Sequence, residues 1–307
     1  MDYVDKLKAL QKATEKTQTE LAGLLGVSFP TLNSWLNEKS VPRQRTQERI
    51  DIVYQEYTGV ERVDESELTA KKQKIEALKR EHPDPLKEII SRKDLYDTYV
   101  LELTYHTNSI EGSTLDEPEV KAVIFDNAVI PDKTAIEHQE AKNHQAALAI
   151  LFKQLNDNSA DKFSKVLVKK MHAILMNGIY PNAGQYRNHP VRIAGSRVVT
   201  ANYLKIEELM KSHIRDLNKS PSNVFSHLAK THAQFEQIHP FSDGNGRVGR
   251  LLMHYLAVRH HLPPVLIKRE KKQAYYTYLE RAQTKGEYVF LESFICDSLL
   301  ESYKLLQ

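Results

Sequence analysis

The sequence predicts an all-α protein with one small β-hairpin and a separate helical module at its N-terminus. Helix formers (Leu, Ala, Glu, Lys, Gln) dominate the 307 residues, and only 11 glycines and 12 prolines interrupt them. Apolar residues recur at helical spacing near 86–110, 134–155, 164–177, 204–218, 222–238, 247–260, 271–284 and 287–305. One stretch breaks that period: "RNHPVRIAGSRVVTA", Arg187 to Ala201, sets β-branched residues on either side of Gly195-Ser196 and reads as a hairpin.

Residues 1–57 read as short helices with tight turns. Leu7 and Leu10 share a face of the first. "TQTE", Thr17 to Glu20, is a capping box that opens a second helix carrying Leu21, Leu24 and Leu25, and Gly26 ends it. Ser28 caps a third helix, with Pro30 in the first turn, where a missing N–H costs little. Leu32, Trp35 and Leu36 give that helix its buried side. Residues 58–85 are strongly charged and read as a connector with one helix near Glu67–Arg80, stopped by Pro83 and Pro85. Residues 86–307 form the large helical domain.

Composition bounds the function. A hydrophobic fraction of 41% is enough for a core, and a net charge of +3 is too small to imply a nucleic-acid or membrane partner by itself. The lone Cys296 excludes a disulfide framework. There is no apolar leader and no run of 18 apolar residues, so a cytoplasmic setting without a membrane partner is expected.

"QTELAGLLGVSFPTLNSWLNEKSVP", Gln18 to Pro42, resembles the helix-turn-helix of phage-repressor-type DNA-binding domains, through Gln18, Leu21, Ala22, Gly26, Val27, Leu32, Trp35 and Pro42. The resemblance implies a third helix in the major groove, with Phe29, Thr31, Ser34 and Asn37 facing DNA. Against it, residues 1–60 carry eight basic and eight acidic side chains, and DNA affinity leans on phosphate neutralisation. The alternative is a module that binds protein, a second copy of this chain included.

"IHPFSDGNGRVGR", Ile238 to Arg250, contains G-x-G-x-x-G at Gly244, Gly246 and Gly249. A dinucleotide fingerprint needs a strand before the glycines, and "FSHLAKTHAQFEQI" has helical spacing instead. No Gly-Lys-Ser/Thr follows, so it is not a P-loop either. What remains is helix, loop, helix. Pro240 should hold His239 extended and end the first helix. Gly244-Asn245-Gly246 tolerates positive φ and can form an anion nest, and a helix starting near Arg247 points its N-terminus at the same place. Arg247 and Arg250, at i and i+3, add two guanidiniums suited to a polyphosphate. Asp243 beside an anion makes sense with Mg²⁺ between them, and His239 is placed to accept a hydroxyl proton.

"HPFSDGNGRVGR" is similar, without a mismatch, to the Fic motif HPFx[D/E]GNGRxxR. The resemblance covers most of residues 86–300 and implies an all-helical Fic core that transfers AMP from Mg-ATP to a protein Ser, Thr or Tyr hydroxyl. It implies His239 as base, a buried Phe241 holding the loop, Asp243 on Mg²⁺, Asn245, the nest and Arg247 on the α/β-phosphates, and Arg250 on the γ-phosphate. "GQYR", Gly184 to Arg187, and the hairpin with Ile193, Gly195 and Ser196 resemble the Fic flap, which implies pairing with the backbone of a protein target. In "KKQAYYTYLERAQ", Tyr275 and Tyr276 correspond to residues bordering adenine and Gln283 to one capping it, although a tyrosine stripe on a helix also packs cores. "TNSIEG", Thr107 to Gly112, resembles the Fic inhibitory motif [S/T]xxxE[G/N], in which Glu111 would pair with Arg250. The plainer reading of that stretch is a Gly-capped helix end. His138, Glu140 and His144 in "EHQEAKNH" lack metal-site spacing and read as helix-surface or satisfied core residues, and His260-His261 as a helix terminus. Two rivals remain: an enzyme that mainly removes AMP, and a DNA-binding regulator whose Fic region only senses nucleotide.

Overall fold

The computed structural model describes residues 1–59, 62–157, 163–193 and 195–307. Val60 and Glu61 of the connector and Ala194 of the hairpin segment lie outside them. Four helices form the N-terminal module: α1 (Tyr3–Thr14), α2 (Gln18–Leu25), α3 (Phe29–Leu36) and α4 (Gln44–Thr58). The Thr17–Glu20 capping box is present in both directions, Gly26 takes a left-handed φ of 71°, and Ser28 caps α3. Leu7, Leu10, Leu21, Leu32, Trp35, Ile50 and Val53 make its own small core, with Leu24 and Leu36 half-buried beside it. On α3, Phe29 is 44% exposed. The polar ends of Thr31 and Ser34 bond to Ser28 and Ser40, and Asn37 caps the helix by donating to the Asn33 carbonyl.

Helix α5 (Glu65–Glu81) lies in the charged stretch, and its Leu68, Ile75 and Leu78 join the large apolar cluster through contacts with the C-terminal helix. Then follow α6 (Pro85–Ser91), α7 (Lys93–Glu111), α8 (Glu117–Phe125), α9 (Ala135–Asn156), α10 (Lys165–Leu175), α11 (Ile206–Leu217), α12 (Val224–Ile238), α13 (Asn245–Arg259), α14 (Lys272–Lys285) and α15 (Tyr288–Lys304). The pattern near 86–110 is two helices, because the chain extends at Arg92. Helix α8, absent from the sequence reading, has its own signal in an Asp116–Glu119 capping box with Pro118 in the first turn. Helix α13 runs through the middle, packed against α7, α9, α10 and α12, and is buried from Arg247 to Val258. A helix buried on nearly every side sits in the core, so the loop at its N-terminus is held by a rigid centre.

The expected β-hairpin does not form: among the described residues the chain has no strand. Residues 187–193 and 195–201 form neither helix nor strand, and Ser196 N–H reaches the Ile193 carbonyl (3.3 Å). Arg187 is the reason. Its guanidinium donates to the carbonyls of His189 (2.8 Å) and Ala201 (2.6 Å), taking acceptors that a cross-arm ladder would use, and Pro190 supplies no N–H. No helix among the described residues is long and apolar enough to cross a membrane.

Candidate active site

Helix α12 ends at Ile238, and His239 takes φ 50°, ψ 61°. This is left-handed rather than the extended geometry expected before proline. The helix end decides it, because His239 N–H still closes the last turn on the Phe235 carbonyl (2.9 Å). A side chain held there stores roughly 1–3 kcal/mol of strain. Arg187 clamps the strained peptide: its Nε donates to the His239 carbonyl (2.7 Å), and its backbone N–H to the Pro240 carbonyl (2.9 Å). His239 Nδ1 lies 3.2 Å from the Glu236 carbonyl, which can only accept. Nδ1 therefore carries the proton, and Nε2 is the basic nitrogen. Burial holds the ring below the ordinary histidine value, so it is neutral at pH 7.

The loop is braced from beneath. Phe241 is fully buried and stacks on the His172 ring (centroids 3.7 Å apart). His172 donates from Nε2 to the Asp243 carbonyl (3.0 Å) and accepts at Nδ1 from Gly184 N–H (2.7 Å). Burial lowers it to about 4, so it stays neutral in that role. Asn245 uses both ends of its amide on Phe241, accepting from its N–H (2.9 Å) and donating to its carbonyl (2.8 Å). Its side chain thus shapes the loop, and only its backbone N–H faces the helix N-terminus. Of the two nest glycines, only Gly244 has positive φ (74°), and α13 already begins at Asn245. Gly246 is required for another reason: a Cβ there would collide with the Glu111 carboxylate.

Both arginines are carboxylate-bound. Arg250 Nη2 meets Glu111 Oε1 at 2.6 Å, with the arginine side chain 1% and the glutamate side chain 28% exposed. Thr107, one turn earlier on α7, accepts from Arg250 with its hydroxyl and its carbonyl (3.3 Å each). Burial pushes the Glu111 carboxyl up, but the charge and hydrogen bond of Arg250, with Arg247 and Lys272 further off, reverse this and hold it below its ordinary 4.5. Gly112 ends α7 at φ 108°, so the helix-cap reading and the ion pair hold together. Arg247 Nη1 pairs with Glu140 of α9 at 2.6 Å, both largely buried. Local sequence describes Glu140 only as a helix-surface or satisfied core residue, and nothing in it marks this partner. His138 and His144 are engaged within the fold, by Ile130 N–H and Thr104.

Asp243 is exposed, and its Oδ1 accepts from Gly244 N–H (2.6 Å). Among the described residues no three His, Cys, Asp or Glu side chains cluster into a metal site. A lone carboxylate could hold Mg²⁺ only with oxygen ligands from outside the protein, since that ion keeps most of its waters. Tyr275 is buried and its hydroxyl shares a 2.7 Å hydrogen bond with His232, whereas Tyr276 is 38% exposed. Gln283 lies against α12: with its amide turned to satisfy both ends, it donates to Leu279 and accepts from Gln237 N–H. Of the flap residues, Ser196 donates to Glu280 of α14 (3.2 Å), Gly195 has a φ of 72°, and Ile193 is half-buried. His239, Asp243, Gly244–Arg247, Arg250 and Glu111 therefore converge, with Tyr276 and the flap alongside. Phe29, Thr31, Ser34 and Asn37 belong to the separate module.

Residues 162–257 match the model of the Fic/DOC family. The chain is 32% identical over 195 residues to protein adenylyltransferase fic-1 of Caenorhabditis elegans, covering 62% of this chain and 38% of that relative. It is 28% identical over 274 residues to protein adenylyltransferase Fic of Aedes aegypti, covering 87% of this chain and 51% of that relative. The chain thus spans about two fifths to one half of these curated relatives. Among solved structures, it resembles Fic-1 (residues 134–508) of C. elegans with a TM-score of 0.66 at 21% identity, over 97% of this chain and 87% of that one. It also resembles a Fic domain containing signaling protein of Bacteroides thetaiotaomicron, with a TM-score of 0.61 at 21% identity, over 78% and 96% of the two chains. These likenesses establish a Fic-type helical fold.

Proposed function

We propose that this chain, whose residues 162–257 match the Fic/DOC family, is a protein adenylyltransferase held in check by Glu111. The observation that carries the reading is a neutral histidine basic at Nε2 just before the loop, together with a buried arginine, held by Glu111, on the helix that follows it. Support comes from relatives named protein adenylyltransferase.

In this reading His239 Nε2 takes the proton of a Ser, Thr or Tyr hydroxyl on a protein target. The freed oxygen attacks the α-phosphorus of ATP, and the bond to pyrophosphate breaks. The first N–H groups of α13 face the phosphates, Arg250 meets the γ-phosphate once Glu111 leaves, and Arg247, oriented by Glu140, adds charge nearby. Asp243 is the residue that would hold Mg²⁺, which when bound would offset phosphate charge. Tyr276 offers the open ring to adenine, with Tyr275 packed behind it and Gln283 at the edge. The described residues around Ile193, Gly195 and Ser196 are in no strand ladder, which suits addition of a target strand.

The test is incubation of wild type and Glu111→Gly with lysate, Mg²⁺ and ATP labelled at the α-phosphate. Labelled protein bands are expected, stronger with the variant; no transfer by either protein overturns the reading. For residues 1–57, the αL turn at Gly26 and the exposed Phe29 at the start of α3 favour a second role in DNA binding. Gel shifts on DNA next to its own coding sequence should weaken with salt and with loss of Arg43 and Arg45. No shift at low salt leaves the protein-binding alternative.

A further inference from the structure

A second buried carboxyl group faces α13 one turn beyond Glu111. Glu236, on α12 just before the catalytic loop, is 5% exposed, and its Oε1 has no hydrogen-bond partner among the described residues. Arg250 Nη1, equally buried, has none either. Both lie along the glycine face of α13. A Cβ on Gly246 would collide with Glu111 and come within 3.2 Å of Arg250 Nη1, and a Cβ on Gly249, one turn on, would collide with Glu236 Oε1. The glycines at 246 and 249 thus admit one carboxyl each to the neighbourhood of a single guanidinium.

Two buried carboxylates cannot both be ionised beside one cation without mutual repulsion. We infer that Glu236 is a positioning residue, the substitute counter-ion of Arg250: it remains a neutral acid while Glu111 holds the guanidinium, and ionises to take Glu111's place when Glu111 is withdrawn. This rests on the proposed inhibitory role of Glu111. On withdrawal of Glu111 the Glu236 proton leaves to solvent. When the γ-phosphate takes Arg250, one proton returns to Glu236. Arg250 is then never a bare buried charge, a state that is strongly unfavourable in a site this dry.

The surroundings support that assignment of charges. On α13, His254 is fully buried and lowered to about 3; on α12 itself, His232 is likewise lowered to about 3, and on α11 His213 to about 4, all by burial. All three are neutral. Tyr275 and Tyr276 of α14 are raised by burial and keep their protons. On α15, Glu292 is engaged elsewhere, by Lys72 and Asn223. The charges that govern Glu236 are therefore Arg250 and Glu111. Burial pushes its carboxyl up to about 8; Arg250 acts against this and Glu111 adds to it. Removing Glu111 removes an upward push and leaves the arginine's downward one, so ionisation moves toward neutral pH.

The test is calorimetry of Mg-ATP binding at pH 8, in buffers of differing ionisation heat, on the full chain. Glu111→Gly should take up as much as about half a proton per ATP bound at pH 8, and its affinity should fall with rising pH between about 7 and 9 by less than about tenfold per unit. Glu111→Gly with Glu236→Gln should take up none and have a flat profile, while Glu236→Asp in the same background should restore the uptake. Equal uptake with Gln and with Glu at 236 overturns the inference and leaves adenylyl transfer standing. If the Gln variant does not fold, a flat profile without uptake in Glu111→Gly alone is enough to overturn it. Absence of ATP binding in every variant overturns both this and the nucleotide reading.

Discussion

Replacing Glu111 by glycine removes a carboxylate that sits 2.6 Å from a guanidinium 1% exposed. A hydrogen bond to a charged group is worth about 1.5–3 kcal/mol net. A γ-phosphate reaching for Arg250 must displace it. At about 1.4 kcal/mol per tenfold, the productive ATP pose gains about 10- to 100-fold in occupancy when Glu111 is gone. A pose misplaced by about 1 Å can by itself cost on the order of a hundredfold in rate, so the gain should appear at saturating ATP as well as in affinity. Glu111→Asp, one methylene short, should fall between, and adding Arg250→Ala should cancel the gain, since the same guanidinium serves the phosphate. Initial rates of label transfer from ATP labelled at the α-phosphate, with lysate as target, measure all three. If Glu111→Gly is no faster than wild type, on itself or on any lysate protein, Glu111 is not a brake. The sign with pH follows from the lowered Glu111 carboxyl: the clamp is complete above its ordinary 4.5 and is lost only as pH falls through the lowered value. Mild acidification to about pH 5 should therefore not activate wild type.

Four further outcomes are expected. His239→Ala should abolish transfer while leaving ATP affinity within about threefold, as the helix N-terminus and arginines remain. The wild-type rate should rise with pH only below the ordinary histidine value and be flat from about pH 7, because burial lowers His239; a rise continuing past that value refutes the neutral-base assignment. Arg187→Lys should lower kcat/KM for the protein target about tenfold without changing ATP affinity, because one ammonium cannot reach the carbonyls of His189, Ala201 and His239 at once; an unchanged kcat/KM counts against the clamp. Gly249→Ala should lower stability in urea by about 1–3 kcal/mol through collision with Glu236, and most of that loss should vanish in a Glu236→Ala background.

Helix existence was legible wherever caps and periodicity agreed. Thr17, Glu20, Gly26 and Ser28 name the turns of the N-terminal module, and each acts locally. The hairpin was misread for a nonlocal reason. Val191, Ile193, Val198 and Val199 favour extended backbone, yet the described residues around them form no strand. Whether extended arms become a ladder depends on where their carbonyls find donors, and Arg187, at the edge of the same segment, supplies them. The connector shows a related limit. Charge on α5 described its outer face, whereas Leu68, Ile75 and Leu78 on its inner face meet a helix more than 200 residues later, a pairing that local pattern does not carry.

The loop itself was the most legible part, because its chemistry is local: a helix end, a left-handed glycine and a new helix N-terminus follow within a few residues of each other. Its counter-charges were not. Arg250 and Arg247 are three apart, on one face in sequence, yet one guanidinium reaches α7 and the other α9. A motif tells which cations are present and leaves open which anion holds each. Of the three carboxyls, only Glu111 had a signal of its own, a glycine-capped helix end. Glu140 and Glu236 are single acidic residues on amphipathic helices, indistinguishable from solvated ones until the packing of α13 is known. The glycines carry the missing information in another form. Gly246 and Gly249 fit a dinucleotide fingerprint by spacing, and the sequence places Gly246 in the turn before the helix and Gly249 within it. In the fold both are helical, and each is small because a carboxyl oxygen occupies the place its side chain would take.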